Sequence, residues 1–259
     1  MKLAISGKGG VGKTTLAALL AQAFADSGKD VLAVDADPSP CLAGALGFPE
    51  ALRARLQPIA EMDALIEERT GAKPGTIGGF FTLNPRVDDI PERFSVSHRG
   101  VRLLEMGGIE IGGSGCICPE AAMLKTLFTH LLFRKDEVLI LDMYAGVEHL
   151  GRATVDFVEA MLVVAEPTRR SLGTAAQIKL LAEDIGLRRL WLVGNKVRNA
   201  DEAAFLESES PGLPLLGCMP ADLAVQEADR LGIPVYDHVQ ALRQAGQVIS
   251  ERLVDRLNR

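Results

Sequence analysis

The stretch Gly7-Lys8-Gly9-Gly10-Val11-Gly12-Lys13-Thr14-Thr15 constrains the fold more than any other part of the chain. Lys2-Leu3-Ala4-Ile5-Ser6 precedes it as a short apolar run and reads as a buried strand. Residues 16–25, LLAQAFA-like in composition and apolar in spacing, follow it as a helix that stops near Ser27 and Gly28. Strand, glycine loop and helix are the context in which G-x-x-x-x-G-K-[ST], here Gly7, Gly12, Lys13 and Thr14, signifies phosphate binding. Glycines permit a tight turn whose N–H groups converge on one concavity, and the helix start adds its positive dipole end. Lys13 then reaches the outer phosphates, and the Thr14 hydroxyl reaches a Mg²⁺ ion. Glycine-rich turns also join strands to helices without a ligand. The Lys-Thr pair within these flanks separates the two cases. Lys8 is a second lysine that one chain does not need for cradling phosphate, and its spacing alone equally fits a solvated surface lysine.

Further strands end in polar groups. Residues 30–35 form an apolar run closed by Asp35, and Pro38 disfavours helical geometry at Asp37, which marks the strand exit. Residues 101–106 read as a strand closed by Gly107 and Gly108. Residues 137–142 end in Asp142 and continue into Met143-Tyr144-Ala145-Gly146-Val147. Residues 160–165, 190–194 with Asn195 and Lys196, and 213–219 with Pro220 complete the clearer strands. Helices are expected over most of 41–70 and over 120–133, 171–183, 221–231 and 236–257. Residues 80–83 read as a short strand, and 88–92 as a turn. This alternation specifies an α/β fold, a predominantly parallel sheet with helices on both faces, in one domain spanning residues 1–259.

Open parallel sheets bind ligands outside the carboxyl ends of their strands. That rule brings Asp35, Asp37, Asp142 and Asn195 near the phosphate loop. Asp37 is a candidate site carboxylate and Asp35 a supporting one, although both types also serve as turn or cap residues. Asp142 is placed to hold a water on Mg²⁺, and Gly146 to let a backbone N–H approach the terminal phosphate. The Asn195 side chain both donates and accepts, so it suits a purine edge as well as a cap. The loop bearing Pro220 and Asp222 is placed to cover the base.

A chain of 259 residues that is 47% hydrophobic is ample for one α/β domain. A net charge of −6 argues against a nucleic-acid surface. No apolar run approaches the ~20 residues of a membrane span. The chain enters its first strand at once, so no signal peptide is expected. Cys41, Cys116, Cys118 and Cys218 do not form a secreted disulfide framework, and a cytoplasmic protein is the expectation. Cys116 and Cys118 form C-x-C in a glycine-rich loop ahead of a helix that opens with Pro119. Thiolates favour Zn²⁺, Fe–S or related soft sites, and a closed thiolate site wants four ligands. One chain supplies two here. A second copy related by a two-fold axis would supply the others, while two ordinary thiols are the plain alternative. Cys41 and Cys218 belong to other segments, and Cys218 reads as a core residue.

The run from Lys8 to Thr15 resembles the deviant P-loop (deviant Walker A motif) of the MinD, ParA and nitrogenase iron protein superfamily. The resemblance implies that Gly9, Gly10, Val11, Gly12, Lys13, Thr14 and Thr15 line ATP and that Lys8 reaches the partner's nucleotide across a homodimer. It further implies that Asp37 belongs to a first switch that orients the attacking water, that Thr14, Asp37 and Asp142 surround Mg²⁺, partly through water, and that Asn195 meets adenine. Three stretches are similar to the CooC-type ATPases that mature nickel carbon monoxide dehydrogenase, with relatives serving acetyl-CoA synthase. They are residues 83–91, residues 115–120 with the C-x-C pair, and residues 141–152 with Glu148-His149-Leu150-Gly151. In that family the paired cysteines of two chains bind Ni²⁺ or Zn²⁺, which implies the same for Cys116 and Cys118. Glu148 and His149 fit a packing pair better than a metal relay, and Tyr144 occupies a variable position.

Taken with the resemblance, these features imply a cytoplasmic, homodimeric MgATPase that assists nickel insertion into carbon monoxide dehydrogenase or acetyl-CoA synthase, with neither nucleic acid nor membrane as expected partner. A MinD- or ParA-type positioning or partitioning ATPase is the alternative. It usually needs a basic surface or a basic amphipathic tail, and residues 251–259 are mixed in charge. A third reading, an electron-transfer ATPase with a shared Fe–S cluster, follows from the same two cysteines.

Overall fold

The strands β1 (Lys2–Gly7), β2 (Val31–Ala36), β3 (Val96–His98), β4 (Val101–Glu105), β5 (Val138–Met143), β6 (Ala160–Ala165), β7 (Leu190–Val197) and β8 (Leu215–Pro220) form one sheet. They belong to a computed structural model that describes residues 1–76, 80–107, 118–133, 137–143 and 158–258. The strand order is β3-β4-β2-β5-β1-β6-β7-β8. Every pairing is parallel except the edge pair β3 with β4. The sequence dictates this arrangement, because near-continuous apolar strands such as residues 138–141 and 160–165 must be covered on both faces.

Alternate residues of each strand go to opposite faces. One face carries Leu3, Ile5, Val31, Ala33, Ile140 and Leu162, covered by helix α1 (Lys13–Asp26) and the helix Gln240–Leu257. The other carries Leu32, Val34, Leu139, Leu141, Met161 and Val163, covered by the helices Pro119–Phe133 and Arg169–Ile185. Asp35 pairs in register with Glu105 of β4 on one side and Asp142 of β5 on the other. Three carboxylates therefore lie side by side at the carboxyl ends of adjacent strands, on the face that α1 covers.

The connections differ from the sequence expectation in several places. Residues 41–70 are not one long helix but the short helices Leu42–Ala45 and Glu50–Arg53, a 3-10 turn Ile59–Glu61, and the helix Asp63–Thr70. Gly47 sits at φ +71, and Pro49 and Pro58 stand just ahead of the second and third pieces, so the chain breaks at each. Residues 80–83 form no strand, and Phe80 is fully exposed. The expected turn at 88–92 is instead part of a one-turn helix, Ile90–Phe94, with Pro91 in its first turn. The helix Ala200–Ser208 was not anticipated, yet it carries a sequence signature. Asn199 caps it by accepting from Glu202 N, and Glu202 reaches back to Arg198 N.

Gly246 sets how closely the helix Gln240–Leu257 approaches α1. A Cβ added there would lie 2.9 Å from the Leu19 Cβ. Gly246→Leu should therefore destabilise the protein by about 1–3 kcal/mol, as overpacking does, despite the better helix propensity. Denaturant unfolding checks this, and an unchanged midpoint would show that the two helices separate without cost.

Candidate functional site

The turn from β1 to α1 is held by close backbone approaches. Gly7 has φ +153, and a Cβ there would lie 2.6 Å from the Val164 carbonyl oxygen of β6. Gly12 has φ +99, and its added Cβ would fall 2.1 Å from Asn195 Nδ2. Neither position accepts a side chain. Val11 N–H donates to the Lys8 carbonyl at 3.2 Å, which closes the loop. No side chain caps the start of α1 and no acidic residue occupies its first turn, so its N–H groups face an anion without competition. Lys8, Gly9 and Gly10 are exposed, whereas Lys13 is buried with Nζ 3.5 Å from the Lys8 carbonyl oxygen. Thr14 and Thr15 are half-buried, and Thr14 Oγ1 lies 3.5 Å from Cys41 Sγ.

The three aligned carboxylates have different surroundings. Asp35 is fully buried and organises the loop after β2. Its Oδ2 accepts from Cys41 N and Leu42 N, both at 2.9 Å, and its Oδ1 accepts from Asp37 N at 3.1 Å. Burial pushes its carboxyl up, and those backbone donors pull it back. Asp35, expected to support the site, is thus bonded to the backbone of its own loop. Asp37 is half-buried, with Oδ1 accepting from Ser39 N at 2.9 Å. Burial also pushes Glu105 up, with Asp35 and Glu61 adding repulsion.

Asp142 is 2% exposed, and neither carboxylate oxygen has a hydrogen-bond partner among the described residues. Burial pushes its carboxyl up to about 7, opposed by the Thr14 hydroxyl and the Lys13 charge. An orphaned buried carboxylate beside a threonine hydroxyl is a donor set that fits Mg²⁺, an oxygen-seeking cation. Among the described residues no three His, Cys, Asp or Glu side chains can hold a metal by themselves. That also fits Mg²⁺, which takes one or two protein oxygens and completes its shell with phosphate and water.

Asn195, expected to meet adenine, is held by the phosphate loop. It is buried, its Nδ2 donates to the Val11 carbonyl at 2.7 Å, and its Oδ1 accepts from Lys196 N at 2.8 Å. Both ends of the amide brace the phosphate loop against β7, and each end keeps one further hydrogen-bonding position. Lys196, at φ 56, pairs with Glu166 at the end of β6. Pro220 ends β8, half-buried, and exposed Asp222 accepts from Ala224 N at 2.9 Å at the start of the helix Ala224–Leu231. Cys118 is half-buried just before Pro119, and its carbonyl accepts from Ala122 N at 3.1 Å. Cys116, Tyr144, Gly146, Glu148 and His149 lie outside the described residues. Cys41 at the phosphate loop is the site neighbour that sequence reasoning missed, and its place six residues after Asp35, on the loop that bears Asp37, was the available signal.

A family profile described as the CobQ/CobB/MinD/ParA nucleotide binding domain matches residues 2–235. The chain is 45% identical over 257 residues to the carbon monoxide dehydrogenase accessory protein CooC of Rhodospirillum rubrum, covering 99% of this chain and 97% of that protein. It is 44% identical over 252 residues to an uncharacterised ATP-binding protein of Methanocaldococcus jannaschii, covering 96% of each. Among solved structures, the MinD cell division protein of Aquifex aeolicus superposes with a TM-score of 0.68 at 23% identity, covering 98% of this chain and 97% of that one. The MinD protein of Pyrococcus horikoshii, complexed with Mg-ADP, gives 0.69 at 22% identity, covering 99% and 96%. At such identities these two structures speak to the fold alone.

Two outcomes follow from this geometry. Asn195→Ala removes a buried brace of the loop and should weaken MgATP and MgGTP binding alike, by about tenfold, the cost of one buried hydrogen bond. Calorimetry with both nucleotides checks this, since a purine reader would lose ATP selectively. The second outcome concerns Asp142, whose folded pKa of about 7 exceeds the ordinary 3.8. Between those values the folded state holds the extra proton, so Asp142 makes stability fall as pH rises from about 4 to 7. Asp142→Asn should remove that fall, gaining on the order of 3–4 kcal/mol relative to wild type across the window. Nucleotide-free unfolding at pH 4.5 and pH 8 measures it, and a wild-type–variant difference that stays constant with pH would refute the assignment.

Proposed function

The chain belongs to the CobQ/CobB/MinD/ParA nucleotide-binding family, on its CooC-like branch, and from that premise we propose that it uses ATP hydrolysis to assist nickel insertion into a carbon monoxide dehydrogenase or acetyl-CoA synthase. It is an ATPase of the MinD/ParA type. It acts in the cytoplasm as a homodimer of one-domain chains, without nucleic acid or membrane. Among the described residues no helix is long and apolar enough to cross a membrane. Asp142 carries the hydrolytic reading, being a buried carboxylate with two unsatisfied oxygens next to the P-loop threonine and lysine. The 45% identity to CooC over nearly the whole chain supports the client.

The backbone N–H groups of residues 9–15, with Lys13, hold the phosphates of ATP. Mg²⁺, when bound, neutralises charge on those phosphates. Thr14, Asp37 and Asp142 would hold it, partly through water. Asp37 also orients the water that attacks the terminal phosphorus, and ADP leaves with phosphate. The Gly146 N–H meets the terminal phosphate. Lys8 is exposed on the rim of the loop, where a partner copy's nucleotide can meet it, and there it stabilises charge on the transferred phosphoryl group. The loop with Pro220 and Asp222 covers the base, while Asn195 keeps the phosphate loop in shape. Cys116 and Cys118 of two chains together hold one Ni²⁺, with Zn²⁺ as a competing ion. Nucleotide and metal both favour the dimer by binding it in preference to the monomer.

Lys13→Ala should abolish ATP binding. Lys8→Ala should retain binding while turnover falls about 10³-fold, the scale of a charge supplied across an interface. Turnover of Lys8→Ala at the wild-type rate would refute the role of Lys8. Ni²⁺ should saturate at one ion per two chains with a rise in mass by light scattering, and Cys116→Ser/Cys118→Ser should lose both. Activation of a nickel-free carbon monoxide dehydrogenase by Ni²⁺ and ATP, with and without the protein, tests the client. Equal activation with the Lys13→Ala variant would overturn the proposal.

A further inference from the structure

Cys41 Sγ lies 3.5 Å from Thr14 Oγ1, the hydroxyl expected to meet the nucleotide-borne cation. The residue is exposed, yet its backbone is fixed, because its own N–H and that of Leu42 both donate to Asp35 Oδ2 at 2.9 Å. Asp35 is itself fully buried, so this part of the loop cannot drift. A second group faces the same point. Asp142 is 2% exposed with both oxygens unpartnered, the Thr14 hydroxyl acts on it and on Cys41, and its charge reaches the Cys41 thiol. A sulfur from the loop after β2 thus meets a hydroxyl from α1, and an unpartnered buried carboxylate of β5 lies beside that hydroxyl.

We propose that Cys41 determines which divalent cation the nucleotide site accepts, by ligating thiophilic ions such as Cd²⁺ or Zn²⁺ in the Mg²⁺ position. The proposal rests on the nucleotide-site reading above and is independent of the nickel client. Zn²⁺ binds thiolate at about 2.3 Å and oxygen at about 2.0–2.2 Å. A tetrahedral ion with those bonds holds its sulfur and oxygen ligands about 3.6 Å apart. The observed 3.5 Å between Cys41 Sγ and Thr14 Oγ1 therefore already matches a shared ion. Mg²⁺ takes only oxygen ligands and leaves the thiol alone. Phosphate oxygens of the nucleotide complete the shell, so the ion arrives with nucleotide. Ligation displaces the thiol proton to solvent. Asp35, Asp37 and Asp142, which disfavour a bare thiolate at Cys41, favour the cation that replaces that proton. A thiophilic ion so held occupies the place of Mg²⁺ and opposes hydrolysis.

The test uses the full chain carrying Cys116→Ser/Cys118→Ser, which removes the other thiolate pair. Cd²⁺ is titrated with and without ADP while thiolate-to-cadmium charge-transfer absorption is followed. One equivalent per chain is expected, and only with ADP. Adding Cys41→Ser or Cys41→Ala should remove the band, and adding Cys218→Ser should leave it. In a Mg²⁺-ATPase assay of the otherwise wild-type chain, Cys41→Ser should raise the Cd²⁺ concentration giving half inhibition at least tenfold. Calorimetry with Mg²⁺ and ADP confirms that each variant is folded, and its failure in the parent chain would overturn the nucleotide reading and this proposal together. With Mg²⁺ and ADP bound normally, a band that forms without ADP, survives loss of Cys41 or never forms would overturn the role of Cys41 alone, as would unchanged inhibition.

Discussion

The turn between β1 and α1 has no space for a side chain at Gly7 or Gly12, and the geometry of the site depends on that. At Gly7 the backbone runs against the Val164 carbonyl of β6, and at Gly12 it runs against the Asn195 amide of β7. The loop is thus shaped by two neighbouring strands as well as by its own glycines. Asn195 completes the arrangement by donating to the Val11 carbonyl, which fixes the loop from behind while its N–H groups stay open in front. A phosphate cradle built this way is formed before any ligand arrives, so little of the binding free energy goes into ordering it.

Register across β4, β2 and β5 puts Glu105, Asp35 and Asp142 in one row. Three buried acids so close repel one another unless each finds a counterpart. Asp35 finds three backbone N–H groups and in return dictates the path of residues 37–42. Asp142 finds no partner among the described residues, and burial alone would leave it protonated near neutral pH. The same physics makes Asp142 costly in the empty protein and effective toward a cation, because an unsatisfied carboxylate has no internal bond to give up. Binding of a cation and nucleotide relieves a penalty that folding leaves in place, which couples stability to ligation.

The exit loop of β2 connects these two themes. Asp35 holds its backbone, Asp37 stands at the solvent side, and Cys41 is brought against Thr14 of α1. One buried carboxylate therefore fixes the backbone that carries Asp37 and Cys41. In the proposed mechanism, movement of this loop would alter the surroundings of Thr14 and of Asp37 together.

The sequence by itself determined the phosphate loop, the buried parallel strands and the rule that polar strand ends gather at one edge, because each depends on local pattern. Gly7 to Thr14, Asp35 and Asp142 were legible in that way. Single-chain patterns could not supply what depends on distance between segments. An amide at Asn195 suits a purine edge, and its brace on the phosphate loop, the 2.7 Å bond to Val11, arises only when β7 lies beside β6 and β6 beside β1. Residues 41–70 looked helical by composition, yet Gly47, Pro49 and Pro58 divide them, and their short pieces are kept by packing against the sheet. Cys41 looked like an unrelated thiol until the hydrogen bonds of Asp35 turned its loop toward Thr14. Local pattern decides what each segment can be, and tertiary structure decides which polar groups meet, since a hydrogen bond or a shared ion requires positions accurate to a few tenths of an ångström that no pattern along one segment encodes.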